Sequence, residues 1–242
     1  MASAFFPVKK LLPVTPVLLF FLLSFFPFCK VTALLFGFDF CLYSDFAFAA
    51  AAAGLSCVLT GMLFHQNAAP CPNGDIFAAL TLPVSLVYLM CFVAIGSNFL
   101  ILLLIFLPCI CSLALFIRFA RPVGLAVTAA LLAFVLAMLT FLLFVFIAIF
   151  SEFGRNTIVK TSLSPHGYHL AQVIESDQGA LGGNTLVTVE HRERDLFGLA
   201  GRFVKNPVRV YLGEWGEADD MSIYWTDEYT LCINGVSHRI TG

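Results

Sequence analysis

Charge is what this 242-residue sequence has least of. Asp, Glu, Lys and Arg make up 12% of it, about half the share of a soluble domain. That shortage, beside 60% hydrophobic residues, excludes an ordinary globular protein, a disordered chain and a coiled coil. Basic stripes are missing as well. With 13 Lys and Arg against 15 Asp and Glu the net charge is −2, which leaves no electrostatic footprint for nucleic acid. The few charges are also unevenly placed: residues 1–150 hold 8 of the 28, and residues 151–242 hold the other 20. Two unlike parts are implied, with a boundary near residue 150.

What the first 150 residues do have is long apolar runs. Crossing a hydrocarbon core takes about 20 mostly apolar residues in a helix. Five stretches qualify: about Leu11–Phe28, Phe46–Phe64, Ile76–Ile95, Phe99–Ile117 and Val123–Phe150. Their amides would find no water in lipid, so they must be helical, and continuous runs exclude the short alternating segments of a β-barrel. Pro13, Pro16, Pro27, Pro83 and Pro108 fall inside these runs, where proline tends to kink a helix that neighbours can still accommodate.

Lys9, Lys10, Arg118 and Arg121 share one side if all five helices cross in alternation. Cytoplasmic loops are enriched in Lys and Arg, so the N-terminus is expected inside and residues 151–242 outside, although Lys30, Arg155 and Lys160 then lie outside too. A cleaved signal over residues 1–33, with Val31-Thr32-Ala33 as cleavage site, is the alternative, and it leaves the last 92 residues outside as well. Thr32 to Asp45 is too short and polar for a sixth span. Its alternating Phe36-Gly37-Phe38-Asp39-Phe40 suits an interfacial segment, with the acids Asp39 and Asp45 at headgroup level or at membrane depth.

Residues 151–242 break into short runs of period-2 alternation: 157–163, 168–175, 185–190, 208–212, 221–226 and 229–233. Ser164-Pro165-His166-Gly167, Asp227-Glu228 and Asn234-Gly235 read as turns between them. The expected fold is therefore a membrane α-helical bundle of about five transmembrane helices, followed by a small antiparallel all-β extramembrane domain of six or seven strands. Three parts of this domain, namely the Ser164–Gly167 turn, the run Ser176–Gly183, and the ending Ile223-Tyr224-Trp225 to Ile233-Asn234-Gly235, resemble the uncharacterised bacterial family catalogued as domain of unknown function 5412. The resemblance covers about the last 80 residues. It implies a bacterial membrane-attached module and no particular chemistry, and His166 stands where that family usually carries Asp or Asn.

Candidate sites are few. The Gly179–Gly183 run lacks the preceding strand, following helix and lysine of a phosphate loop. Asp177, Gln178, Gly179, Gly182 and Gly183 nevertheless combine polar groups with a permissive backbone, and form the first choice for a ligand-binding loop. His166, His169, His191 and His238 lack the paired spacing of a zinc site, and Cys232 has no CxxC companion. Glu214, Glu217, Asp219 and Asp220 around Trp215 read as a solvated acidic loop, not a calcium loop. No catalytic motif is visible, so no enzyme activity, cofactor or metal is expected. Of the eight cysteines, Cys57, Cys91, Cys109 and Cys111 fall in spans, Cys71 lies inside, and Cys29 and Cys41 share an outer face where they could pair. The expected partners are the lipid bilayer and a membrane or envelope protein. Binding, sensing or assembly at the envelope is the first functional expectation; transport through the kinked helices, motivated by Asp39 and Asp45, is the second.

Overall fold

A computed structural model describes residues 12–65, 73–150, 155–177, 179, 182–192, 196–198 and 200–240. Five long helices come first: α1 (Thr15–Leu35), α2 (Asp45–His65), α3 (Gly74–Ala94), α4 (Phe99–Phe119) and α5 (Val123–Phe150). Their most apolar windows reach mean hydropathies of 1.9 to 3.0, so all five are long and apolar enough to cross a membrane. Side-chain oxygens start two of them: Ser44 Oγ accepts from the Ala47 amide at 3.2 Å, and Asn98 Oδ1 from Ile101 at 3.0 Å. Pro13 lies in a 3-10 turn and Pro16 in the first turn of α1, so Pro27, Pro83 and Pro108 are the helix-interior prolines among the described residues. Gly96 takes a positive φ of 70° and turns α3 into α4.

Small residues set how closely these helices meet. Ala49, Ala52, Ala53, Ser56 and Thr60 line the buried face of α2, and Ile101, Ile105, Pro108, Ser112 and Leu115 that of α4. In lipid the hydrophobic effect does not drive helices together, so such close backbone approach and dispersion must do so. α1 belongs to this packing. Leu19, Leu23 and Phe26 are buried, and the Phe26 ring lies 4.7 Å from that of Phe92 on α3. α5 buries only Ala129, Ala133 and Thr140. At 28 residues it is also a third longer than its neighbours.

Among the described residues, ten strands follow the antiparallel pattern in three sheets. β1 (Phe38–Leu42), β6 (Gly201–Lys205) and β5 (Leu196–Phe197) form one sheet, in the order β1-β6-β5. β2 (Arg155–Leu163), β3 (His169–Asp177), β4 (Gly183–His191) and β7 (Val208–Glu214) form the second, in the order β2-β3-β4-β7. The third is the meander β8 (Ile223–Asp227), β9 (Thr230–Ile233) and β10 (Val236–Arg239). Ala171, Val173, Val187 and Val189 alternate along β3 and β4 and bury their side chains with Met221, Leu231, Ile233 and Ile240. The expected Asn234-Gly235 turn is present, with φ of 50° and 82° joining β9 to β10, because both central positions of this hairpin turn need positive φ.

The compact units add one segment to the expected boundary near residue 150. The division into residues 1–150 and 151–242 is not the compact one: Thr32–Tyr43 belongs with the β-rich unit that continues from Ala148, while the helical unit takes α1 up to Val31 and then Ser44–Ile147. The Phe36–Phe40 alternation, expected at an interface, has a basis within the same β-rich unit. Phe38–Leu42 is a strand that pairs antiparallel with Gly201–Lys205, so the alternation serves a sheet. Phe40 is 1% exposed and its ring meets that of Phe203 at 4.9 Å. Glycine at 201 permits this: a Cβ there would strike the Cys41 carbonyl and the Phe40 ring. The strand count also exceeds six or seven, because β1, β5, β6 and β10 lie outside the alternating runs. Gly201→Ala is therefore expected to accelerate amide exchange across Phe38–Leu42 while β3 and β4 stay protected; unchanged exchange at β1 would contradict the close approach.

Candidate functional site

The expected ligand loop is occupied with itself. Asp177 and Gly183 pair at the open end of β3 and β4, and the Asp177 Oδ1 accepts from the Gly179 amide at 2.8 Å. Gly179 and Gly182 have φ of 63° and 91°, and the Gly182 amide donates to Gly179 O at 3.1 Å. The indole of Trp215 lies so close over Gly183 that a Cβ would fall 2.7 Å from it. Asp177 thus closes a turn, Gly183 seats a tryptophan, and both have local work independent of any ligand. Gln178 lies outside the described residues.

The two candidate acids separate. Asp39 is exposed on β1, opposite Val204, and accepts from the Cys41 thiol at 3.8 Å. Asp45 is the first residue of α2, where the helix dipole favours a carboxylate. Cys29 and Cys41, which could pair by their shared outer face, are not joined by a disulfide. In the acidic loop Glu217 accepts from the Tyr211 hydroxyl at 2.9 Å, while the Lys160 ammonium donates to the carbonyls of Asp219 and Met221 at 2.7 and 3.0 Å. Cys71 lies outside the described residues.

The densest polar cluster centres on a residue that the sequence presents only as a turn. Glu228, between β8 and β9, is 9% exposed and reaches the Ser164–His169 turn across more than sixty residues. Its Oε1 accepts from Ser164 Oγ at 2.5 Å and from the Tyr168 amide at 3.2 Å. Its Oε2 accepts from the His166 amide at 2.8 Å and lies 3.0 Å from His166 Nδ1. Burial alone would raise this carboxyl's pKa. The donors outweigh it, Ser164 foremost, then the His166 amide and ring and the Tyr168 amide, and hold it down at about 2. Turns commonly gather amides around an anion, and here the anion is the chain's own carboxylate.

The arrangement contains a serine, a histidine and an acid, yet it is not a nucleophilic triad. A triad needs the imidazole between hydroxyl and carboxylate. Here the carboxylate stands between, and Ser164 Oγ spends its acceptor capacity on the His169 amide at 2.9 Å. The histidines diverge: His166 is on the exposed side of the turn, whereas His169 is 2% exposed and meets the 1% exposed His191 with Nδ1 atoms 3.1 Å apart. One of those nitrogens must donate and the other accept, so this buried pair shares a single proton between its Nδ1 atoms. Trp225 stacks on His169 at 5.9 Å and donates its own N–H to Ser162 O at 3.1 Å. His238 lies apart on β10. Among the described residues no three His, Cys, Asp or Glu side chains gather closely enough for a metal ion.

The chain matches no protein-family model, no curated protein and no solved structure. The cluster around Glu228 therefore has to be read from its own geometry, and that geometry is a latch between the β2–β3 turn and the β8–β9 hairpin. Because the Glu228 pKa is depressed from its ordinary 4.5 to about 2, its contribution to stability is complete above pH 4.5 and fades as pH falls through about 2. Unfolding of the wild-type chain followed by tryptophan fluorescence should show that decline. Glu228→Gln should be less stable at pH 7 and lose the decline between those values; an unaltered acid profile would refute the latch.

Proposed function

We propose that the protein is a non-enzymatic multi-pass membrane protein that presents its β-domain at the outer surface of a cell for binding, sensing or assembly with envelope components. The observation that carries this reading is the pairing of β1 with β6. β1 follows α1, and β6 follows α5, so the two are separated by α2 to α5. Four crossings return the chain to the side it left, and only an even number of crossings brings both strands to one side of a bilayer. Pairing therefore supports all four of those helices crossing. Combined with the Lys and Arg distribution, it supports placing the domain outside. α1 packs into the bundle through Phe26 and Phe92, which favours a retained first span over a cleaved signal.

Latch, histidine pair and glycine turn all have structural work, so the surface of the domain is the place for function. The bacterial source rests on the resemblance of the last 80 residues alone. Transport has less support: Asp39 stands on a strand and Asp45 at a helix start, and the buried polar side chains in the interiors of α2, α3 and α4 are hydroxyls such as those of Ser56, Thr60, Thr81, Ser85 and Ser112. Cys232 is 3% exposed and unsuited to surface labelling, whereas Ser237 is exposed on β10. A membrane-impermeant maleimide should add label to Ser237→Cys in intact cells relative to the parent chain. Label that enters only after permeabilisation would place the domain inside and overturn this orientation.

A further inference from the structure

The outer face of the four-stranded sheet carries an aliphatic row where alternation would put polar side chains. In β3 and β4 the odd-numbered residues Ala171, Val173, Val187 and Val189 face the core, so the even-numbered residues face away. Register places Ile158 of β2 beside Ile174 of β3, Ile174 beside Leu186 of β4, and Leu186 beside Leu212 of β7. The four side chains form one line across the sheet, about 15 Å long at the usual strand spacing. Ile158 and Leu212, at its ends, are 53% and 54% exposed. Single exposed aliphatics are ordinary, but an unbroken row in register on an open sheet face is a surface built for contact.

The charges beside the row say what covers it. On β7, Arg209 and Glu214 flank Leu212, one outward step to either side: they stand opposite Thr188 and Asn184, which flank Leu186 on β4. Both are exposed. A two-fold axis laid along the row, midway between two facing sheets, sets each row residue against its own counterpart and exchanges the flanks. Arg209 of one copy then faces Glu214 of the other, and the reverse pair forms by symmetry. Every other flank position on β2, β3 and β4 is uncharged and polar, so the exchange brings no like charges together. An axis along the strands would instead set Arg209 and Glu214 over β2, where the flanks are uncharged. The strands of the two copies run nearly antiparallel in the favoured arrangement, compatible with aligned sheet packing at about 10 Å.

From this we infer that the outer face of the β2-β3-β4-β7 sheet binds a second copy of this chain, giving a two-fold dimer centred on Ile174 and Leu186 and keyed by two reciprocal Arg209–Glu214 pairs. The inference deepens the assembly reading of the β-domain and rests on it. Anchoring in one membrane confines both copies and raises their effective concentration, so a modest interface suffices.

The test uses the full-length chain reconstituted in lipid vesicles, labelled with donor or acceptor dyes at the N-terminus, with dimerisation followed by energy transfer. Wild type should self-associate. Glu214→Arg and Arg209→Glu should each weaken self-association by about tenfold or more, because each turns both attractive pairs into like-charge pairs. Mixed with one another, the two variants should pair as tightly as wild type, since every facing pair then sets an arginine of one chain against a glutamate of the other; the double exchange in one chain should do the same. Both positions are exposed, so these variants keep the core intact. A monomeric wild type, or a mixture that pairs no better than either variant alone, overturns the dimer. Monomeric wild type together with Ser237→Cys labelling in intact cells overturns the dimer only, whereas failed labelling overturns the outward-facing reading whatever the oligomeric state.

Discussion

Five residues between the first two helices hold the β-domain to its place in the chain. Phe38–Leu42 cannot satisfy its backbone groups alone, and a two-stranded pairing is marginal in water without an apolar face to bury. It finds both needs in Gly201–Lys205: a ladder of hydrogen bonds, and Phe203 as cover for Phe40. The Tyr43 amide extends the contact to Ala200 O at 3.2 Å, and the Asn206 amide donates to Gly37 O at the other end. Helix α2 begins one residue after Ser44, so the strand, the helix cap at Ser44 and the dipole partner Asp45 form one continuous transition. Without this pairing the domain would hang from α5 alone.

Within the domain, buried polar groups are settled by a few reciprocal contacts. A buried amide or carboxylate left unpaired costs about 1–3 kcal/mol or more, so the Ser164–His169 turn could not lie against the β8–β9 hairpin without an acceptor. Glu228 supplies one carboxylate to the hydroxyl, amide and imidazole donors at once, which is why it remains ionised despite its burial. The same economy governs the Asp177 turn, where a carboxylate expected to greet a ligand is taken up by the amide of Gly179. Polar residues at turns answer their own backbone first, which leaves the aliphatic row on the four-stranded sheet, exposed at its ends Ile158 and Leu212, as the surface for partners.

The helices were legible because lipid allows so little choice: a continuous apolar run of about 20 residues must be a helix, and its length alone brackets its ends. The observed ends moved by a few residues, with α1 continuing past Phe28 through Lys30 to Leu35. In the β-domain the alternating runs gave β2, β3, β4, β7, β8 and β9, and Asn234-Gly235 named its turn. β5 spans two residues and β10 four, too short for a period to register. β1 did alternate, but its partner lies some 160 residues away, and alternation near a bilayer reads equally well as an interfacial segment. The Glu228 latch offered no signal beyond a polar residue in a turn, since its meaning depends on donors from a distant strand connection.

Composition and periodicity therefore determined, by themselves, that this chain divides into apolar helices and an antiparallel β-domain, because hydration of backbone and side chains acts locally and leaves a local pattern. Which residues keep company was decided only by tertiary structure. It moved Phe38–Leu42 into the domain, turned Asp177 inward on its own loop, made Glu228 the anion of a remote turn, and aligned Ile158, Ile174, Leu186 and Leu212 from four strands into one row. Register and long-range pairing follow from how whole faces fit together, and no window of sequence contains both partners.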